Sequence, residues 1–352
     1  MADMLIILIV LSAVAVYYYG VRAFTVIVFS VFICAVSDML CLKLCKKKFE
    51  NKDISAIITG IEIALMMPSS IPYHILSIAC IFSIVIGKHA FGGRGHAIFN
   101  CAAVGFLFAA LNFPDFVLSY PKPFTALAIT ETVNPMDLYP SMTRSAYSTG
   151  TSVVPFMDLV IGKFNGPMGC SCTIVLIIAA VILMYRRAVS VISFITQTAV
   201  VFVITLVRAD FDAMYAMHIL SGGMFIFGIL FLSCDYSTIP KARVSRMIYG
   251  FTVAMITRFF CFYAKVENAI VYAVIIAAPI GIELDRRSFS LADMLEKDHG
   301  IMFSIKKKFN KNLSSVSETL NLVNDGSDKD ESTARITIHS RDEGIFPEET
   351  DL

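Results

Sequence analysis

The sequence predicts an all-α polytopic membrane protein with about ten transmembrane helices and both termini cytoplasmic. Three observations carry this prediction. Of the 352 residues, 57% are hydrophobic and only 16% are charged, and mean hydropathy is +0.72, whereas soluble domains run at about half apolar and a quarter charged. The apolar runs are long and continuous rather than alternating in roughly ten-residue segments, which selects helices over a barrel. Lys and Arg collect on alternate connections between the runs, the pattern expected of cytoplasmic loops.

Taken in order, the candidate spans are 4–19, 22–43, 54–67, 73–88, 98–113, 172–185, 189–207, 215–233, 245–263 and 268–283. Several fall short of the roughly 20 residues of a free-standing span, a shortening tolerated where helices pack inside protein. The first, in "MADMLIILIVLSAVAVYYYG", lacks a basic n-region and a small-residue cleavage site and is read as a retained span. Basic clusters follow span two ("KLCKKKFENK"), span four ("KHAFGGRGH"), span six (Arg186 and Arg187), span eight ("KARVSR") and span ten ("DRRS"). Those ends are predicted to be cytoplasmic, which leaves the segment 114–170 on the outer face. The transmembrane domain then covers 1–287, and 288–352 forms a cytoplasmic tail. The start of the tail suits an interfacial helix with Lys306, Lys307 and Lys308 toward anionic headgroups. The rest is too polar to bury a core and is expected to be disordered.

Several function classes are excluded. A net charge of +1 gives no electrostatic footprint for nucleic acid. No Walker or dinucleotide-binding fingerprint follows a strand, and no C-x-x-C-H haem motif occurs. The nine cysteines lie mainly in the spans, where a thiol behaves as a small hydrophobe. Cys170 and Cys172 in "GCSC" supply only two of the four ligands of a structural zinc site.

Four polar features stand out against the apolar background. "KHAFGGRGHAIFN" places Gly92, Gly93 and Gly95 beside Arg94 and His96 and offers Asn100 as a helix cap, reading equally as a ligand loop or a tight turn. "HILSGGMFIFGILFLSCDYSTIP" runs from His218 past a glycine pair to Asp235 and Thr238; the glycines suit helix packing and the polar end suits a cofactor or ion site. Arg258, inside "VAMITRFFCF", requires an anionic partner or a polar cavity, and Glu62 in span three is a candidate for ion coupling; a structural polar contact is the competing account of both. The run "SAYSTGTSVVP", Ser145 to Pro155, crowds hydroxyls around Gly150 in the outer loop.

Several segments together resemble the D subunit of Rnf electron-transport complexes, a family related to the B subunit of the sodium-translocating NADH:quinone oxidoreductase. They are "DISAIITGIEIALMMP" with Asp53, Thr59, Gly60, Ala64, Leu65 and Pro68, "KHAFGGRGHAIFNCAAVG", "HILSGGMFIFGILFLSCDYSTIP" and "SRMIYG". The resemblance implies a membrane redox subunit carrying FMN through a phosphoester on a hydroxyl of the outer loop. Laid on the family's Asp-x-x-Ser/Thr-Gly-Ala-Thr/Ser motif, this chain sets Thr149 on the Ser/Thr, Gly150 on the Gly, Thr151 on the Ala and Ser152 on the acceptor. Ala146 stands at the motif's Asp, and Thr151 is the second acceptor if the register slips by one.

The resemblance further implies partner subunits of an electron-transport complex, a flavin transferase, riboflavin as a further flavin, coupling to Na+ or H+, and residence in the plasma (inner) membrane. On charge alone, and not from the resemblance, Arg258 and His218 are the groups expected to stabilise a reduced, anionic flavin. Two other readings are a flavin-free structural or ion-path subunit of the same type of complex, and an unrelated secondary transporter built on interrupted helices.

Overall fold

The computed structural model describes residues 2–46, 54–91, 98–124, 139–140, 156–209, 211–222, 224–235, 238–264, 266 and 268–286. The chain divides into a unit Met1–Ser290 and a unit Leu291–Leu352. The second unit, with the predicted interfacial lysines, lies outside the described residues.

Helix α1 covers Ala2–Leu44, 43 residues. At 1.5 Å per residue that is roughly 65 Å, about twice the hydrocarbon core of a bilayer. It is broken at Gly20, whose φ of 69° and ψ of −157° lie where only glycine is comfortable. The two windows 4–19 and 22–43 therefore meet at a real break. Helix α2, Ser55–Met66, lies closely against the second half of α1. A Cβ on Gly60 would come 2.8 Å from the Val31 Cα, and Ser30 Oγ donates to the Gly60 carbonyl across the same contact at 2.7 Å.

Helix α3, Tyr73–Phe82, runs on as a π-helical turn, Ser83–His89. Helix α4 is Cys101–Asn112, capped by Asn100, whose side chain accepts from the Ala103 amide. A short turn, Pro114–Val117, leads to strand β1, Ser119–Tyr120, which pairs antiparallel with β2, Tyr139–Pro140. Helix α5, Phe156–Ile161, and a 3₁₀ turn, Met168–Cys170, bring the chain to α6, Thr173–Tyr185. Helix α7 is Val191–Arg208 and α8 is Ala213–Ser221. Helix α9 begins at Phe225–Phe227 and continues as a π turn, Gly228–Ser233; it is bent by 63° from α8. Helix α10, Arg243–Phe259, also ends in a π turn, Phe260–Ala264, and α11 covers 269–286.

Among the described residues, Ala2–Leu44, Val191–Arg208 and Arg243–Ala264 are each long and apolar enough to cross a membrane, and the bent pair α8–α9 passes the same test as a unit. The other apolar helices are shorter, and their fully buried side chains show why. Ile63 and Leu65 of α2, Phe106 of α4 and Phe227, Leu230 and Phe231 of α9 form the core. The outer surface is apolar as well: Ile9, Phe24, Phe32, Ile177, Val203 and Phe251 are each more than half exposed. A protein apolar both inside and outside is solvated by lipid. The chain is a helical membrane protein.

Candidate functional site

The two ends of the helical body carry different chemistry. One end is organised by the Gly20 break. Tyr19 Oη donates to the Gly166 carbonyl at 3.1 Å and accepts from Ser171 Oγ at 3.1 Å. Arg22, two residues past the break, is buried; its Nε donates to the Ser69 carbonyl at 3.2 Å, its Nη2 to the Ile71 carbonyl at 3.1 Å, and its guanidinium lies 4.3 Å from the Tyr73 ring centre. A buried arginine so surrounded pins the α2–α3 connection to α1.

Tyr18 occupies the same break and touches both borders of the long polar loop. The Phe124 amide donates to its carbonyl at 2.7 Å, and its hydroxyl donates to the Ile161 carbonyl at 2.5 Å. The chain thus leaves this point at Phe124 and is held there again at Ile161. Thr149, Gly150, Thr151 and Ser152 fall in that interval of the sequence and outside the described residues; Gly92, Gly93, Arg94, Gly95 and His96 of the glycine-rich loop also lie outside the described residues. His218 is the predicted flavin neighbour that the fold brings to the interval. Its ring packs edge-on against Phe156, centres 5.3 Å apart, only four residues beyond Ser152. Its Nδ1 is anchored 3.0 Å from the Met214 carbonyl. Arg258 has other company: it is buried in α10 with its guanidinium 4.1 Å from the centre of the Phe262 ring.

The opposite end holds a cluster of ionisable groups. Asp38, near the end of α1, accepts from Lys88 Nζ on Oδ2 at 3.0 Å and lies 2.7 Å from His89 Nε2 through Oδ1. All three side chains are nearly fully buried. Glu62 of α2 is buried and interacts electrostatically with Asp235 at the end of α9. Cys101, at the start of α4, feels Lys88, Glu62 and Asp235 together, so these groups share one region. Asn100 Nδ2 donates to the Phe231 carbonyl at 3.3 Å, joining α4 to α9 there. Beside it, Gln197 of α7 is fully buried and donates to Ser193 Oγ and Ser233 Oγ, each at 2.8 Å. Two of the three π turns among the described residues, Ser83–His89 and Gly228–Ser233, deliver chain to this cluster, in keeping with the tendency of π turns to mark functional positions.

Three carboxylates, a lysine and a histidine thus gather at the margin of an apolar body. Among the described residues, no three His, Cys, Asp or Glu side chains converge on a metal position. The sequence singles out Glu62 and Asp235 but hides Asp38 in the apolar run "VFICAVSDMLC". It also presents Lys88 as a loop charge, although the lysine is folded inward. The available signal is an acid near the end of one span and a lysine near the end of another, both predicted to lie on one face.

Residues 1–285 match the NQR2, RnfD, RnfE family. The D subunit of the Na(+)-translocating ferredoxin:NAD(+) oxidoreductase complex of Acetobacterium woodii is 27% identical over 279 residues, covering 78% of this chain and 84% of that protein. The D subunit of the proton-translocating ferredoxin:NAD(+) oxidoreductase complex of Clostridium ljungdahlii is 21% identical over 278 residues, 77% and 84% of the two chains. The B subunit of the Na(+)-translocating NADH-quinone reductase of Chromohalobacter salexigens is 26% identical over 215 residues, 57% and 49%.

Proposed function

The chain belongs to the NQR2, RnfD, RnfE family, and from that premise we propose that it is the membrane subunit of an ion-translocating oxidoreductase complex carrying FMN on Ser152, or on Thr151 if the register slips. When bound, FMN supplies one-electron redox chemistry, which the protein positions and tunes. The residues of the chain do three things. The Ser152 hydroxyl would hold FMN through a phosphoester, made by a flavin transferase from an activated flavin phosphate whose leaving group departs as the hydroxyl proton is lost. Tyr18 gathers the two borders of the loop at the Gly20 break, so that the acceptor is presented from a fixed base. His218, against Phe156, supplies a donor for negative charge on the flavin.

The coupling ion is Na+ or H+, and related complexes carry both in their names. Its path runs by Glu62, Asp235 and the Asp38–Lys88–His89 cluster. The topology of about ten spans with cytoplasmic termini in the plasma (inner) membrane belongs to the same reading. Pairings within predicted faces support it: Asp3 with Arg186 and Asp38 with Lys88 join ends read as cytoplasmic. Tyr19 with Gly166 and Arg22 with Ser69 join ends read as outer. The observation that carries the redox reading is the match over 1–285. The observation that supports the loop as a presented acceptor is the double tether at Tyr18.

The test is in-gel flavin fluorescence after denaturation, on chain co-expressed with a flavin transferase. The native chain is expected to fluoresce, Ser152→Ala or Thr151→Ala to lose the signal according to which hydroxyl is used, and the double variant to be dark. A dark native chain beside an active transferase would leave the flavin-free ion-path subunit as the reading.

A further inference from the structure

We propose that the α7 C-terminal end and the last turns of α10 form a site for the phosphate of an anionic phospholipid, with Arg258 and Arg208 as its donors. Arg258 is 3% exposed, and its Nε and Nη2 have no hydrogen-bond acceptor among the described residues. Its guanidinium carbon stands 4.1 Å from the centre of the Phe262 ring. Arg208, in the last turn of α7, stands over the same ring at 4.3 Å. The two cations are thus no further apart than the sum of those distances, and neither forms an ion pair among the described residues.

A buried arginine with unused donors is costly, and a second arginine nearby adds repulsion. Phe262 relieves part of this through cation–π attraction, but a ring face accepts none of the N–H groups. The nearest described carboxylate along the chain, Asp212, is occupied, accepting from the Met214 and Tyr215 amides at 2.9 and 3.2 Å. An oxyanion that reaches both Arg208 and Arg258 would satisfy the fork of one and neutralise the other, the arrangement in which arginine binds phosphate best.

The surroundings select the form of that phosphate. Val207, Phe211, Phe259 and Tyr263 are each more than half exposed around the two arginines, and Phe259 and Tyr263 pack on each other with centres 4.9 Å apart. An exposed tyrosine such as Tyr263 near a helix end marks the headgroup level of a membrane. A phospholipid meets both demands at once, its phosphate on the arginines and its acyl chains along the apolar face. Free phosphate would meet only the first. Binding here does not require a flavin and does not rest on the redox reading.

The test uses native mass spectrometry of the purified full chain with phosphatidylglycerol, with diacylglycerol of the same acyl chains, and with inorganic phosphate as competitor. Wild type is expected to hold phosphatidylglycerol at least about tenfold more tightly than diacylglycerol, and Arg208→Gln or Arg258→Gln to remove that preference, as loss of a charge-assisted contact implies. Arg258→Lys keeps the charge without the fork and is expected to recover part of it. Arg186→Gln at the other end is expected to bind as wild type. Ser152→Ala/Thr151→Ala is expected to retain the lipid, which separates this site from the flavin. Should Arg258→Gln fail to fold, Arg208→Gln, at a helix end, carries the comparison. Equal binding by wild type and Arg208→Gln overturns the proposal. So does inorganic phosphate binding without any preference for phosphatidylglycerol.

Discussion

Replacing Asp38 with Asn tests how this membrane body holds charge. Asp38 uses both carboxylate oxygens inside the protein, Oδ2 on Lys88 at 3.0 Å and Oδ1 beside His89 at 2.7 Å. Asn keeps the shape and a hydrogen bond to His89 and removes only the negative charge. Lys88 would then keep its ammonium in a site 5% exposed without the carboxylate that faces it. Removing one partner of such a pair costs about 3–5 kcal/mol, whereas replacing both is often neutral. Asp38→Asn should therefore lose about 3–5 kcal/mol, and Asp38→Asn/Lys88→Met should regain most of it. The chain has no tryptophan, so unfolding in an SDS titration is best followed through its buried thiols. Cys34 and Cys80 are fully buried on α1 and α3 and should react with a fluorogenic maleimide only as the helices part. A loss below about 1 kcal/mol for Asp38→Asn, or single-variant costs that simply add in the double, would refute the argument that the pair is buried and coupled.

The remaining predictions use the same assay. Gly60→Ala should destabilise by about 1–3 kcal/mol, because the new methyl meets the Val31 backbone at 2.8 Å and helix backbones cannot step aside as side chains can; a stability equal to wild type would show that α1 and α2 are not so closely apposed. Arg186→Gln should cost less than about 1 kcal/mol, since its pair with Asp3 at 2.7 Å is 58% and 32% exposed. A loss comparable to that of Asp38→Asn would mean that this pair is sequestered from water.

Much of the body is legible in the sequence because lipid imposes a simple rule on composition. The break at Gly20 follows from two apolar windows that together exceed one bilayer, and Asn100 as a cap follows from its place before an apolar run. The Asp38–Lys88 pair is not legible, since its members are 50 residues apart and a charge near a span end looks the same whether it snorkels outward or turns inward. Arg258 is recognisable as out of place, but its companions, Phe262 one turn on and Arg208 on another helix, are set by how α7 packs on α10. The hydroxyl run from Thr149 to Ser152 is the reverse case. Resemblance to a motif gives it meaning, while the fold contributes the fixed base at Tyr18 from which its loop departs.

The π turn at Ser83–His89 makes the ion cluster a matter of counting as well as chemistry. A π turn closes its hydrogen bonds one residue later than an α turn, as the Ala90 amide does in reaching the Val85 carbonyl at 3.0 Å. Taking one residue out of the α-helical stretch that leads into it, Tyr73–Phe82, would swing everything beyond by about 100°. Lys88 and His89 would then face away from Asp38 with their identities intact. Along this helix the chain can exchange one apolar side chain for another on its lipid face with little penalty, yet a change of length by a single residue undoes the site.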